Sequence, residues 1–390
     1  MADATATDFD VIVYGATGYT GRLVAEYIAG AYPEGVRWAM AGRSLTKLEE
    51  VRREMGIGAD VPLVTADADD PASLRALCRR TAVVITTVGP YQLYGTDLVA
   101  ACAETGTAYV DLCGEPGWMR RMIDAHHEAA KASGARIVFS CGFDSIPFDL
   151  GVLTLQEAAI ARFGRPVPRI KCRVRTMKGG FSGGTAASLK ATMAAAVKDP
   201  SLIPLLASPF ALTPGHNGPH QPTGLLPEYD TTIGAWVAPF VMAPINTKNV
   251  HRTNFLLGQH YGDDFVYDEM VVTGLGDLGK AAAEALAKLN PFADNKGPKP
   301  GEGPTKEERE TGHYDVLFAG LMPDGTRLDA VVTGDRDPGY GSTSKMLAES
   351  ALCLVRDVKG DGGVWTPGAL MGPELRKRLI DHAGMTFTAS

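Results

Sequence analysis

The stretch that most restricts this 390-residue chain is Val11-Ile12-Val13-Tyr14, continued at once by Gly15-Ala16-Thr17-Gly18-Tyr19-Thr20-Gly21. Apolar β-formers run into a glycine turn, and Arg22-Leu23-Val24-Ala25-Glu26-Tyr27-Ile28 then reads as a helix. A strand, a tight turn and a helix in that order aim orphan N–H groups and the positive end of a helix dipole at an anion. Gly15 permits the turn, Gly18 lets the backbone approach a pyrophosphate, and Gly21 lets helix and strand pack closely. Thr17, Tyr19 and Thr20 complete the expected phosphate loop. The spacing is GxxGxxG rather than GxGxxG, so the weight falls on the residues downstream of the turn.

From residue 10 to about 150 the chain alternates strand and helix. Strands are expected at Val11–Tyr14, Val36–Ala41, Val61–Thr65, Ala82–Thr87, Thr107–Asp111 and Arg136–Ser140. Helices are expected around Gly21–Ala29, Leu45–Met55, Pro71–Arg79, Asp97–Thr105 and Pro116–Ser133. Asp70-Pro71 supplies an N-cap with proline at the first helical position, while Gly30, Gly106 and Gly134 fall just past helix ends. Right-handed crossovers would join these into a doubly wound parallel sheet, a Rossmann domain, with ligand at the carboxyl ends of the strands.

Each carboxyl end carries a candidate. After the second strand stand Gly42-Arg43-Ser44, with Lys47 one turn on, and no acid is available for a ribose 2′-hydroxyl. A guanidinium can fork onto a 2′-phosphate, so Arg43, with Ser44 and Lys47, points to NADP(H) rather than NAD. Asp67, after the third strand, sits near the adenine edge or caps the turn. Val88-Gly89-Pro90-Tyr91 comes after the fourth strand: its turn would run beneath the ribose and nicotinamide, and Tyr91 either reaches the reacting carbon or packs. Cys113 and Gly114 come after the fifth strand, and Asp144 after the sixth.

Composition narrows the classes. Hydrophobic content of 45% and charged content of 21% are those of a globular protein, and 390 residues allow two domains. A net charge of −7 leaves no basic footprint for nucleic acid. Six cysteines without a CxxC or Cys/His cluster read as reduced thiols of a cytoplasmic enzyme, with no metal site. Met1–Asp10 is short and polar, unlike a signal peptide.

The motifs GATGYTG, AGRS, VGPYxxYG, YVDLCGE and CGFDSIPFDLG, in this order, resemble the saccharopine dehydrogenase-like oxidoreductases. Within them the chain is most similar to the bacterial branch that holds the mycobacterial trans-acting enoyl reductases. Asp337-Pro338-Gly339-Tyr340-Gly341 and Gly362-Gly363-Val364-Trp365-Thr366-Pro367 extend the likeness over nearly the whole chain. The chain is expected to divide into a Rossmann domain (1–145), an α+β substrate and dimerisation domain on an antiparallel sheet (146–337), and a C-terminal segment (338–390) whose helix, by the resemblance, returns to the Rossmann domain. A homodimer is expected. The candidate catalytic residues are Tyr91, Asp144 and Tyr340.

Beyond Asp144 the pattern changes. Phe148–Phe163 and Ser344–Val355 read as helices, and Ile170–Met177, Phe265–Thr273, Tyr314–Leu321 and Thr326–Gly334 as strands, the last two flanking the hairpin turn Met322-Pro323-Asp324-Gly325. Asn290–Arg309 reads as a solvated loop. Lys178–Thr185 is glycine-rich without the P-loop lysine, so it reads as a loop closing over substrate, with Thr185 capping the helix Ala186–Val197. Leu202–Leu212 and Thr231–Ile245 are apolar and broken by prolines, too short to span a bilayer. They would line an acyl site, dock peripherally on a membrane, form a subunit contact or lie in the core; Trp236 and Phe240 would share one wall if their segment were helical.

Three functions compete. The first is an NADPH-dependent enoyl reductase acting on a free or carrier-bound acyl or polyketide intermediate. The second is a saccharopine-type C–N reductase, which would draw on Arg169, Arg173, Arg175 and Arg252 to grip substrate carboxylates. The third is a non-catalytic NADP-binding interaction protein.

Overall fold

The computed structural model describes residues 7–179, 183–289 and 302–390. In the first of two seven-stranded sheets, β1 (Phe9–Tyr14) lies between β2 (Trp38–Gly42) and β4 (Thr81–Thr86). β3 (Leu63–Thr65) extends one side, and β5 (Ala108–Val110) and β6 (Arg136–Val138) the other, all parallel. This is the doubly wound strand order 3-2-1-4-5-6. Alternate residues of β1 serve opposite cores: Val11 and Val13 join one apolar cluster, Ile12 and Tyr14 the other. A parallel strand covered by helices on both faces must be apolar at successive positions, which is why Val11–Tyr14 shows no polar alternation.

The second sheet is built from β7 (Arg169–Lys178), β8 (Glu228–Asp230), β9 (Ala235–Pro239), β10 (Val266–Gly274), β11 (His313–Leu321) and β12 (Arg327–Gly334), with one further strand from the C-terminal segment. It is mixed rather than wholly antiparallel, because β7 and β10 pair in parallel. The long connection between them, which includes β8 and β9, permits that direction. The helix Ile146–Phe163 covers this sheet, and a Cβ on Gly151 would lie 2.4 Å from the Phe318 ring, so nothing larger than glycine fits there. The hairpin turn closes where expected, with Gly325 at φ 87° and its N–H on Met322 O at 3.0 Å.

The C-terminal segment divides. The helix Thr343–Arg356 packs on the first sheet, and β13 (Gly363–Trp365) adds to that sheet beside β6. β14 (Met385–Ala389) goes to the second sheet instead, pairing with β12. The stretch Thr231–Ile245 is strand β9, a turn and the start of the helix Ala243–Leu256, so Trp236 and Phe240 do not share a helical face. Trp236 packs on Tyr229 with ring centroids 5.8 Å apart, whereas Phe240 lies against Phe148 at 5.5 Å. Residues 180–182 of the glycine-rich stretch and 290–301 of the expected loop lie outside the described residues. The helix after the glycines begins at Gly183, and Thr305 caps a short helix, Lys306–Thr311, where loop was expected.

Candidate active site

The glycine turn has the form of a phosphate cradle. Gly15 takes φ 90°, open to glycine at low cost, and its carbonyl accepts the Gly18 N–H at 2.9 Å. A Cβ on Gly15 would meet Thr87 Oγ1 at 2.7 Å, and one on Gly21 would meet Gly15 O at 2.2 Å, so both positions exclude side chains. Gly18 is the N-cap of the helix Tyr19–Ala31, without a side-chain cap, and Gly18, Tyr19 and Thr20 line the adjoining cavity. Backbone meets open space there, as a pyrophosphate needs. The Tyr19 phenol donates to Pro304 O and accepts from Arg309 at 2.8 Å, which ties the loop to residues near the second sheet. Thr17 takes part through its carbonyl, which accepts from Arg22 Nε at 3.2 Å.

At the carboxyl ends of β1 to β3 the charges converge on Tyr14. Burial pushes its phenol up to about 12, Asp67 and Asp69 add to this, and Arg43 opposes them. Arg43 and Lys47 are exposed, and Ser44 caps the next helix by accepting the Lys47 N–H at 3.3 Å. Asp67 accepts the Asp69 N–H at 3.2 Å, as a turn cap does. Val88 N–H bonds Thr86 Oγ1 at 3.3 Å, and Gly89 and Pro90 continue into the cavity wall. The Cys113 thiol is fully buried in the core and burial pushes its pKa up, so its side chain offers nothing to the cleft, whereas Gly114 beside it lines the cavity.

The cavity measures about 720 Å³. Its walls come from the glycine turn, the loop after β4, the helices Gly183–Lys198 and Leu202–Ala207, and the segment Val241–Lys248. Apolar side chains predominate, among them Tyr94, Leu112, Met193, Leu206, Val241, Met242 and Ile245.

The three catalytic candidates occupy different situations in it. Tyr91 donates to Thr86 O at 3.1 Å and accepts the Leu112 N–H at 3.3 Å, which commits its phenol to holding the loop. Tyr340 lies edge-on to Tyr19, with centroids 4.7 Å apart, and burial pushes its phenol up. Asp144 lines the cavity with Oδ1 buried and without a hydrogen-bond partner, and burial raises its carboxyl to about 7.

Sequence reasoning overlooked two charged residues. Glu115 accepts the N–H groups of Tyr91 and Gln92, each at 2.9 Å, and the Ser188 hydroxyl at 2.8 Å. It thereby joins the loop after β4 to the helix over the cavity. It directly precedes Pro116, the first residue of the helix Pro116–Ser133. Lys248 lines the cavity from the helix Ala243–Leu256. Its neighbours Asn246, Asn249, His251, Arg252, Thr253 and Asn254 are buried as well, although a run of such residues reads as solvated.

The arginines stand elsewhere. Arg173 is fully buried between Asp230 at 2.6 Å and Asp268 at 2.7 Å, Arg169 pairs with Asp268, and Arg175 with Asp315 at 2.6 Å. Arg252 donates to the carbonyls of Leu212 and Val364. None of the four lines the cavity. Among the described residues no group of His, Cys, Asp or Glu could hold a metal ion, and no helix is long and apolar enough to cross a membrane.

Residues 11–138 match the family model of the saccharopine dehydrogenase NADP-binding domain. A relative from Mycobacterium tuberculosis strain H37Rv, provisionally assigned as a trans-acting enoyl reductase, is 42% identical over 405 residues, covering 96% of each chain. The trans-acting enoyl reductase of Mycobacterium leprae is 37% identical over 404 residues, covering 95% of this chain and 96% of its own. The apo saccharopine dehydrogenase (L-Glu forming) of Saccharomyces cerevisiae has the same fold, with a TM-score of 0.56 over 98% of this chain and 99% of its own at 10% identity. With a cradle that fits a dinucleotide and likeness along its whole length, the chain belongs to the trans-acting enoyl reductases of the saccharopine dehydrogenase-like family, NADP(H)-dependent oxidoreductases.

Proposed function

We propose that the chain reduces the C=C bond of a 2-enoyl thioester, with Asp144 returning the proton to Cα. When bound, NADPH supplies a hydride from C4 of its nicotinamide to Cβ. The carrying observation is the cavity itself: about 720 Å³ beside the glycine turn, apolar in most of its lining and with an aspartate on its wall whose Oδ1 is buried and unpartnered. Apolar walls exclude water and raise the Asp144 carboxyl to about 7, so that it is largely protonated below that pH, which suits a proton donor. The glycine turn and the loop held by Tyr91 and Glu115 orient the cofactor, and Arg43 reads its 2′-phosphate. A saccharopine-type reaction would need cations to grip carboxylates, and Arg169, Arg173, Arg175 and Arg252 are all engaged elsewhere.

The substrate is a carrier-bound acyl or polyketide chain. Met193 and Tyr94 support this, since both line the cavity while remaining 62% and 42% exposed, which makes a mouth open to a bulky partner. The exposed Leu93 and Ile203, close in sequence to the lining residues Tyr94 and Leu206, suit a peripheral membrane contact at the same rim. The edge strand β8, with Leu225, Leu226 and Tyr229 exposed on or beside it, is the surface best suited to a homodimer. Six buried free thiols accord with a cytoplasmic site of action.

The test monitors NADPH absorbance with 2-enoyl-CoA thioesters of increasing length and with an α-keto acid plus amino acids. Each buried methylene contributes about 0.8 kcal/mol, so kcat/KM is expected to rise about fourfold per methylene until the cavity fills. Turnover confined to the amino-acid mixtures would overturn the proposal.

A further inference from the structure

Lys248 takes no part in the proton transfer assigned to Asp144, yet its surroundings are unusual for a lysine. It is 4% exposed and lines the cavity. Its ammonium donates to Pro244 O at 2.8 Å, a carbonyl one turn back on its own helix. Among the described residues no carboxylate forms an ion pair with it, and burial alone lowers its pKa, to about 8. Buried ammonium groups are nearly always paired, so one without a counter-charge at a cavity wall is a site for an anion or a developing negative charge.

Its position relative to Asp144 is fixed. Asn249, the next residue on the helix, donates to Ser145 Oγ at 2.8 Å, and Ser145 directly succeeds Asp144. Pro244 and Ile245, one turn before Lys248 on the same face, also line the cavity. An acid and a cation thus reach one cavity from elements that are pinned together. In a thioester the carbon that takes a proton and the oxygen that takes charge are separated by a single carbon.

We propose that Lys248 holds the thioester carbonyl oxygen and stabilises the negative charge that develops there during reduction, an inference that rests on the enoyl reading. As hydride bonds to Cβ, the electron pair of the Cα=Cβ bond shifts to form a Cα=C bond, and the carbonyl π pair moves onto oxygen. The Lys248 ammonium donates a hydrogen bond to that oxyanion. The C=O bond reforms as Cα takes the proton from Asp144, which regains one from water. Lys248 stays protonated throughout. Preorganised donors of this kind act strongly because no water competes.

The test uses the full chain with NADPH bound, with decanoate as an anionic probe and decan-1-ol as its uncharged counterpart, measured by calorimetry. Lys248→Met approximates the length of the side chain and removes the charge. It is expected to weaken decanoate about 10–100-fold and leave decan-1-ol and NADPH unchanged. With 2-decenoyl-CoA, kcat is expected to fall about 10²–10³-fold, while Lys248→Arg keeps decanoate binding within a few fold. Lys248→Gln gives the same comparison if the methionine variant does not fold. Equal decanoate affinity in parent and variant, or an equal loss of decan-1-ol, would overturn the proposal. If the parent reduces no enoyl thioester but keeps a Lys248-dependent preference for decanoate, the anion site stands and the enoyl reading falls.

Discussion

One wall of the cleft is backbone: the N-terminus of the helix Tyr19–Ala31 behind Gly15, Gly18 and Gly21. Along the other stands the helix Ala243–Leu256, which turns Pro244, Ile245 and Lys248 to the cavity, while its Asn246, Asn249 and Arg252 are buried and do not line it. The first wall costs little beyond the conformational entropy of its glycines. The second leaves Asn246 Oδ1, Asn249 Oδ1 and Arg252 Nε without partners, and an unsatisfied buried polar group costs about 1–3 kcal/mol. A helix selected for stability alone would carry apolar residues there. The backbone wall is therefore a general device fixed by chain geometry, while the helix of the opposite wall stores polarity at a cost, with Lys248 the one such residue turned to the cavity.

The sharpest way to break the backbone wall is Gly18→Val. At φ −78° and ψ 165° any residue is tolerated, and the new Cβ would stand 3.3 Å from Gly15 O, so the fold should survive while pyrophosphate loses its approach. NADPH binding, read by nicotinamide fluorescence, is expected to vanish. Undiminished affinity would show that the turn is structural only. The acid of the cavity is probed next by Asp144→Asn, which is expected to lower kcat about 10²–10⁴-fold with NADPH affinity unchanged. The donor must be protonated, so in the parent kcat/KM should fall tenfold per pH unit above about 7, and this alkaline limb should disappear in the variant. An identical limb in both would place the proton donor elsewhere. The smallest effect belongs to Arg43→Ala. Loss of one charge-assisted contact should weaken NADPH about 10–100-fold and leave NADH almost unchanged. Equal weakening of both would mean that Arg43 does not read the 2′-phosphate.

The same contrast explains what could be read in advance. The cofactor half was legible because its signals are local: apolar strands, glycines at fixed spacing, and caps such as Asp70-Pro71, whose carboxylate accepts the Ala72 N–H at 3.0 Å as expected. The strands β8 and β13 escaped because three residues such as Glu228-Tyr229-Asp230 carry little propensity, and their pairing depends on distant partners. Trp236 and Phe240 misled because a spacing of four fits a helix, whereas a strand and its adjoining turn hold them. Lys248 and Glu115 were hidden for another reason. Their roles depend on what the rest of the chain brings against them, and burial of a polar helix leaves no periodic mark.

The most direct measurement traces deuterium through a single turnover of 2-decenoyl-CoA, read by mass spectrometry and NMR of the product. With NADPH deuterated at the transferred C4 position, the expected product is the saturated thioester with one deuterium at Cβ and none at Cα. In deuterated water with ordinary NADPH, the label is expected at Cα, where Asp144 delivers its exchanged proton. Cofactor deuterium at Cα, or oxidation of NADPH with an amine as the only reduced product, would contradict reduction of a C=C bond in this cleft.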